Sequence, residues 1–324
     1  MTTKIEIKNF KSIKHIVLED CKRINLLIGK PNVGKSNILE ALTSFSLPYA
    51  RYTNNKSLQQ FIRCENESEL FYNGDTKQTV EIKTDSDMFV YKASQTSFVS
   101  RLNGFLNDKS VVELTGLKIK QTGSEMPNKD VRSYFFPTSF QFENTGVKFL
   151  QPTTGCNVSS VLDSLEIVKK EISETLSLYG LKLSFDKASQ QIKLLKDVSG
   201  DSIYLVPFNS IADTLQRIIF YKTAIASNKN AILTFEEPEA HAYPPYISKI
   251  TTDIVHSESN QFFITTHSPY VLNEFLENKK DDLAIYLVDF KDGETKIKGL
   301  TKEELDRVSQ FGVDLFFNSE IFLD

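Results

Sequence analysis

Ile24-Asn-Leu-Leu-Ile-Gly29-Lys-Pro-Asn-Val-Gly34-Lys35-Ser36-Asn-Ile-Leu-Glu-Ala-Leu42 decides how the rest of this chain is read. It contains G-x-x-x-x-G-K-S, the pattern of a phosphate-binding loop. The run from Ile24 to Ile28 is short and apolar, which predicts a buried parallel strand. Ile38, Leu39, Ala41 and Leu42 fall on one side of a helix that begins near Asn37. A phosphate loop needs strand, turn and helix in this order. Its backbone N–H groups converge on the anion, and Gly29 and Gly34 let the backbone wrap closely. The helix start adds unpaired N–H groups and a partial positive charge. Asn32, Val33, Gly34, Lys35, Ser36 and Asn37 are the candidate nucleotide contacts. Lys35 would reach the β- and γ-phosphates, and the Ser36 hydroxyl would hold Mg²⁺.

The chain has 324 residues, enough for one large domain or two modest ones. Its 40% hydrophobic and 25% charged residues are ordinary for a soluble globular protein. A net charge of −4 gives no overall case for nucleic acid and leaves room for a local basic groove. Cys21, Cys64 and Cys156 stand apart without C-x-x-C spacing, so neither a zinc site nor a disulfide framework is indicated. Reduced, buried thiols are expected instead. No apolar run approaches about 18 residues, and no signal-peptide pattern opens the chain. These features predict a cytoplasmic protein with no membrane span.

Upstream of the loop, Lys4-Ile-Glu-Ile-Lys-Asn-Phe10 alternates polar and apolar residues, the pattern of a strand with one buried face. Lys11-Ser-Ile-Lys-His-Ile-Val-Leu18 predicts a second strand after a short turn. Lys11 and Ser12 in that turn are either nucleotide contacts or solvated turn residues. Residues 47–206 have a different texture, rich in Asn, Ser, Thr and Lys. Thr79-Val-Glu-Ile-Lys, Phe89-Val-Tyr, Leu117-Lys-Ile-Lys and Ser133-Tyr-Phe-Phe predict antiparallel strands, with a hairpin-type turn at Asn73-Gly74. Leu162, Leu165, Val168, Ile172 and Leu176 predict one helix over 158–178. A hairpin over 185–204 would turn at Ser199-Gly200. Residues 47–206 thus read as a lobe inserted into a core made of 1–46 and 207–324.

In that second core segment, residues 209–220 open with helix-capping types and run into an apolar helix. Ala231-Ile-Leu-Thr-Phe235 is an apolar strand that delivers Glu236 and Glu237 at its end, the edge where ligands sit in open α/β sheets. Consecutive strand residues point opposite ways, so one carboxylate can hold Mg²⁺ while the other polarises water. Glu236 is assigned to the metal and Glu237 to the water. Gln261-Phe-Phe-Ile-Thr265 is another strand, and His267 beyond its end could donate to a γ-phosphate or to the attacking water. Residues 283–289 predict a last strand before a turn at Asp292-Gly293. Thr301-Lys-Glu-Glu304 resembles a capping box, and the apolar tail 311–324 is expected to pack.

The stretches Gly29 to Ser36, Glu236-Glu-Pro-Glu-Ala-His241 and Thr265-Thr-His267-Ser-Pro269, in this order, resemble ABC-type ATPase heads of the RecF, OLD and SMC kind. Ile7-Lys-Asn-Phe-Lys-Ser12 resembles the opening of the same group. The expected fold is α/β, an ABC-type ATPase head (a P-loop NTPase) with a mixed central sheet, an antiparallel β subdomain and an inserted α/β lobe. The resemblance implies an ATPase using ATP and Mg²⁺, with Glu236 and Glu237 as the Walker B pair and His267 as the switch histidine. It places residues 209–214 at the signature position, where Ser210 and Asp213 would contact ATP held by another copy. This implies a homodimer or higher homo-oligomer built through the nucleotide interface. Both glycines of the usual L-S-G-G-Q signature are missing, and Gln60 and Gln141 are alternative Q-loop residues. The compact subset met in antiphage systems implies a separately encoded effector protein, a nuclease or toxin. A non-hydrolysing scaffold and a RecF-like DNA-repair ATPase, with DNA met by Lys4, Lys8, Lys11 and Lys14, are the alternatives.

Overall fold

The computed structural model describes all residues except 97–98, 198–201 and 324. The N-terminal hairpin is β1 (Ile5–Phe10) and β2 (Ile13–Leu18), followed by β3 (Ile24–Ile28) and α1 (Lys35–Thr43). After a run of short 3-10 turns come β4 (Val80–Lys83), β5 (Met88–Thr96), β6 (Val99–Leu106), β7 (Lys109–Thr115), β8 (Lys118–Gln121) and β9 (Val131–Tyr134). The next block is α2 (Val158–Ser164), α3 (Glu166–Ser177), β10 (Leu181–Asp186), β11 (Gln191–Asp197) and β12 (Ile203–Pro207). The chain then alternates α4 (Asp213–Ser227), β13 (Ile232–Glu236), α5 (Pro244–His256), β14 (Gln261–Thr265) and α6 (Pro269–Lys279). It closes with β15 (Leu283–Lys291), β16 (Glu294–Gly299), α7 (Lys302–Phe311) and the short α8 (Leu315–Asn318) and α9 (Glu320–Leu323).

These strands form a six-stranded sheet in the order β16-β15-β3-β14-β13-β9, a seven-stranded sheet β2-β1-β4-β5-β6-β7-β8, and a three-stranded sheet β10-β11-β12. The first is mixed: β15, β3, β14, β13 and β9 run parallel and β16 returns antiparallel. The second is antiparallel throughout. The expected head architecture is therefore present. Strand β3 explains why the six-stranded sheet is central. Ile24, Leu26 and Ile28 face one core, packed with α2 to α6, while Leu27 faces the other, packed with α1 and the antiparallel sheet. Every residue of β3 is buried, and each such aliphatic side chain stabilises the fold by roughly 1.5–3 kcal/mol.

Several local expectations change. The strand at Ser133 is not part of the antiparallel set, because β9 pairs parallel with β13, Ser133 facing Thr234. Asn73 and Gly74 make a left-handed turn within a 3-10 segment before β4, not a hairpin between two strands. The single helix over 158–178 is two helices, broken at Leu165, whose φ of −100° and ψ of 79° leave the helical region. Apolar spacing continues across the break because Leu162, Val168, Ile172 and Leu176 pack on one core. Helix α4 begins at Asp213 rather than 209, after a 3-10 turn at Phe208–Ser210. β11 and β12 do pair antiparallel, but Ser199-Gly200 lies outside the described residues. The Thr301 capping box is formed, with Glu304 N–H donating to Thr301 Oγ1 at 3.2 Å and Thr301 N–H to Glu304 Oε2 at 2.8 Å. In the tail Leu315 and Phe322 are buried, while Phe311 and Phe317 face outward. The antiparallel sheet joins β1 and β2 to β4–β8 and so crosses the expected boundary at residue 46. Among the described residues, no helix is long and apolar enough to cross a membrane.

Candidate nucleotide site

The loop after β3 is shaped by close packing. Gly34 has φ of 103°, and a Cβ there would come within 2.1 Å of Thr295 Oγ1. Glycine is the residue that accepts both constraints. Asn32, with φ of 62°, takes the left-handed conformation that asparagine tolerates better than most. The Lys35 ammonium donates to the carbonyls of Gly29 and Lys30, each at 2.7 Å. Burial lowers the Lys35 pKa, against the opposing pull of Glu237 and Glu236. Gly34 caps α1 without a side-chain hydrogen bond, so the first N–H groups of the helix stay directed at the loop interior.

Beneath the loop lies a hydroxyl network. Thr295 Oγ1 donates to the Val33 carbonyl at 3.0 Å, Ser12 Oγ lies 2.7 Å from Thr295 Oγ1, and Asn37 Nδ2 donates to Ser12 Oγ at 2.7 Å. Ser12 and Asn37 therefore brace the loop, and Val33 is buried within it. Lys11 is drawn to α1, where it pairs with the buried carboxylate of Glu40 and donates to the Arg63 carbonyl at 2.6 Å.

The two carboxylates diverge, as their place at a strand end requires. Ser36 Oγ donates to Glu236 Oε1 at 2.5 Å. Glu237, with φ of 40°, turns the chain and sends its carboxylate towards His267, whose Nε2 lies 3.4 Å from Glu237 Oε1. Burial lowers the His267 pKa, Lys35 lowers it further, and Glu237 opposes both. The imidazole is thus poised in its neutral form. Lys35, Ser36, Glu236, Glu237 and His267, spread over more than 200 residues of sequence, meet at the ends of β3, β13 and β14.

Residues without a motif complete the surroundings. Arg63 donates to Glu40 Oε1 and Glu236 Oε1, both at 2.7 Å. Burial works against its charge, but Glu236 and Glu40 outweigh it, and the Arg63 pKa is raised. Glu40 carried a faint signal, an acid among the apolar residues of α1; Arg63 and Thr295 carried none. A cavity of about 1090 Å³ opens beside the pair, walled by Glu236, Glu237, Arg63, Arg217, Gln60 and Gln141, and by none of residues 29–37. Both candidate Q-loop glutamines face this one space.

The signature segment stands apart. Ser210 is exposed, and Asp213 accepts from Arg217 Nε at 2.9 Å. The Arg217 guanidinium in turn stacks 4.2 Å from the Phe136 ring. Among the described residues, no hydrogen bond or ion pair joins Ser210 or Asp213 to residues 29–37 of the same chain. Of the lysines considered for DNA, Lys4 pairs with Glu19, Lys8 with Glu6 and Lys11 with Glu40.

A parallel core with a phosphate loop and paired carboxylates at its strand ends defines a P-loop ATPase head. A family model described as an AAA ATPase domain matches residues 1–197, and the chain belongs to that family. A second AAA-domain model, whose description names the AbiEii toxin and a Type IV TA system, matches residues 159–273. An ATP/GTP phosphatase of Helicobacter pylori is 23% identical over 329 residues, which cover 86% of this chain and 87% of that protein. The solved SMC head bound to the C-winged helix domain of ScpA aligns with a TM-score of 0.52 and 16% identity, over 93% of this chain and 98% of that one. A Pyrococcus furiosus SMC head with an extended coiled coil, bound to the C-terminal domain of ScpA, gives 0.50 and 13%, over 95% and 98%. The fold is that of an SMC/RecF-like head, here without a coiled-coil arm among the described residues.

Proposed function

We propose that this chain binds ATP with Mg²⁺ at the residue 29–37 loop and hydrolyses it. The observation that carries the reading is the convergence of Ser36 on Glu236 and of His267 on Glu237. The donor set suits the metal, since a hydroxyl and a carboxylate oxygen are hard ligands of the kind Mg²⁺ takes. Mg²⁺ held by Ser36 and Glu236 would supply charge neutralisation for the phosphates. Lys35 binds the β- and γ-phosphates together with the backbone of residues 32–36. Glu237 accepts a proton from the attacking water, and neutral His267 orients that water or the γ-phosphate by donating a hydrogen bond. The similarity to an ATP/GTP phosphatase of Helicobacter pylori supports a hydrolytic activity.

Ser210 and Asp213 act on nucleotide held by a second copy, so the working form is a homodimer or larger homo-oligomer. ATP bridging two copies and its loss on hydrolysis give the differential contact that a switch requires. The output of the switch is regulation of a separately encoded nuclease or toxin in bacterial antiphage defence. The toxin named in the second family description supports that context. Phosphate release by the purified protein tests the chemistry: it should need Mg²⁺ and disappear in both Lys35→Ala and Glu237→Gln. Turnover that survives both substitutions sinks the assigned roles. Phage challenge of cells carrying the protein with its neighbouring gene tests the biological role, and protection that persists in Lys35→Ala overturns it.

A further inference from the structure

Between the two carboxylates and His267 lies a third acid that the chemistry above does not use. Glu239 is only 8% exposed. Its Oε1 accepts the Thr266 hydroxyl at 2.6 Å and the His267 backbone N–H at 3.0 Å. Its Oε2 is buried without a hydrogen-bond partner among the described residues. Thr266 Oγ1 accepts in turn from the Ser268 N–H at 3.0 Å. A tie in the other direction lies alongside: the Glu237 N–H donates to the Thr265 carbonyl at 3.1 Å and to Thr265 Oγ1 at 3.2 Å. The loop after β13 and the end of β14 therefore grip each other reciprocally. Thr214 of α4 adds a third strand to this knot by donating to the His241 carbonyl at 3.1 Å.

We propose that Glu239 is a positioning residue: its carboxylate fixes the end of β14 so that the His267 imidazole faces Glu237. The inference rests on His267 acting at the nucleotide, as proposed above. Burial raises the Glu239 pKa, and the Thr266 hydroxyl and His267 N–H pull against it, so its role does not depend on charge. What Glu239 supplies is one oxygen that gathers both donors, and one of them is the backbone N–H of the residue whose side chain must be placed. Without it, the Thr266 hydroxyl and the His267 N–H lose their shared acceptor, and the imidazole loses its approach to Glu237.

The test compares Glu239→Ala, Glu239→Gln and Thr266→Val in the full-length protein. In Glu239→Ala, hydrogen exchange of the His267 amide in nucleotide-free protein should accelerate by about tenfold or more. The turnover number should fall by a similar factor, on the order of tenfold, with ATP affinity within about threefold. Glu239→Gln keeps an acceptor at the same point and should restore most of both. Thr266→Val removes one of the two donors and should give a smaller change in the same direction, which keeps the proposal testable if Glu239→Ala does not fold. Unchanged His267 exchange in Glu239→Ala, or in Thr266→Val if only that variant folds, overturns the proposal. Equal losses of affinity and turnover in the alanine variant, unrescued by glutamine, overturn it as well. If the wild-type protein turns over no ATP, the hydrolytic reading falls, while the exchange measurement still decides what Glu239 does.

Discussion

The phosphate loop and the segment at 208–213 belong to the same proposed site, yet they are secured differently. The loop is braced from below by Ser12, Asn37 and Thr295 and linked to the carboxylates through Ser36. The segment at 208–213 is tied instead to the chain beside it: Asn209 exchanges hydrogen bonds with the Phe140 backbone, Asp213 accepts from Arg217, and Arg217 lies over the face of Phe136. Ser210 is left exposed. A rigid, internally satisfied half suits a group that must present fixed donors to a phosphate. An exposed half suits one that completes a site only when another molecule arrives. On the proposed reading, one chain carries both parts of a composite site with no hydrogen bond or ion pair between them among the described residues.

The largest expected effect comes from breaking the finished half. Lys35→Ala should lower ATP turnover by on the order of a thousandfold in a phosphate-release assay, because the ammonium that meets developing phosphate charge is gone. Glu237→Gln should lower it by at least about a hundredfold while leaving nucleotide affinity within severalfold, because it removes a base and not a binding group. A smaller effect sharpens the comparison itself. Ser210→Arg and Lys35→Ala should each be inactive alone, and a mixture should recover about a quarter of the wild-type rate, since half the pairs are hybrids holding one intact site of two. No recovery on mixing would mean that the exposed segment serves its own chain.

The electrostatics of His267 give a subtler reading. Its pKa lies below the ordinary 6.5 because burial and Lys35 disfavour the charged ring. NMR titration should show Lys35→Ala moving it upward and Glu237→Gln moving it further down. Between the lowered folded value and the unfolded one, the folded chain binds fewer protons than the unfolded chain. The stability from neutral His267 is therefore present above about pH 6.5 and declines as pH falls through that window. The smallest effect lies outside the site. Thr301→Ala should cost about 1 kcal/mol in denaturant unfolding by removing the capping box, with turnover unchanged.

Much of the finished half could be read in the sequence, because each of its motifs is local. A strand, a glycine turn and a helix start lie within a score of residues around Gly34, and Glu236 and His267 each follow an apolar run directly. Fold features that depend on distant partners could not be read this way. Ser133-Tyr134 looks like any short β run; its place in the central sheet is decided by parallel pairing with Thr234 and Phe235. Arg63 has no sequence context that points to Glu236. The helix break at Leu165 is invisible to periodicity because apolar spacing runs through it. Lys11 and Ser12 sit in the turn that the alternation predicts, but the turn faces inward, so Lys11 serves Glu40 and Ser12 serves Thr295.

The bracing of Gly34 by Thr295 also sets an order of events during synthesis. The loop is made early, but the hydroxyl that buttresses Val33 lies 262 residues further along the chain. Both neighbours of β3, strands β14 and β15, also arrive late. A nascent chain emerging from the ribosome therefore has the phosphate-loop sequence long before it has the phosphate-loop shape. A chain cut short before residue 283 would carry the full motif with Ser12, Asn37 and β14 in place, but without the Thr295 brace and without β15 beside β3.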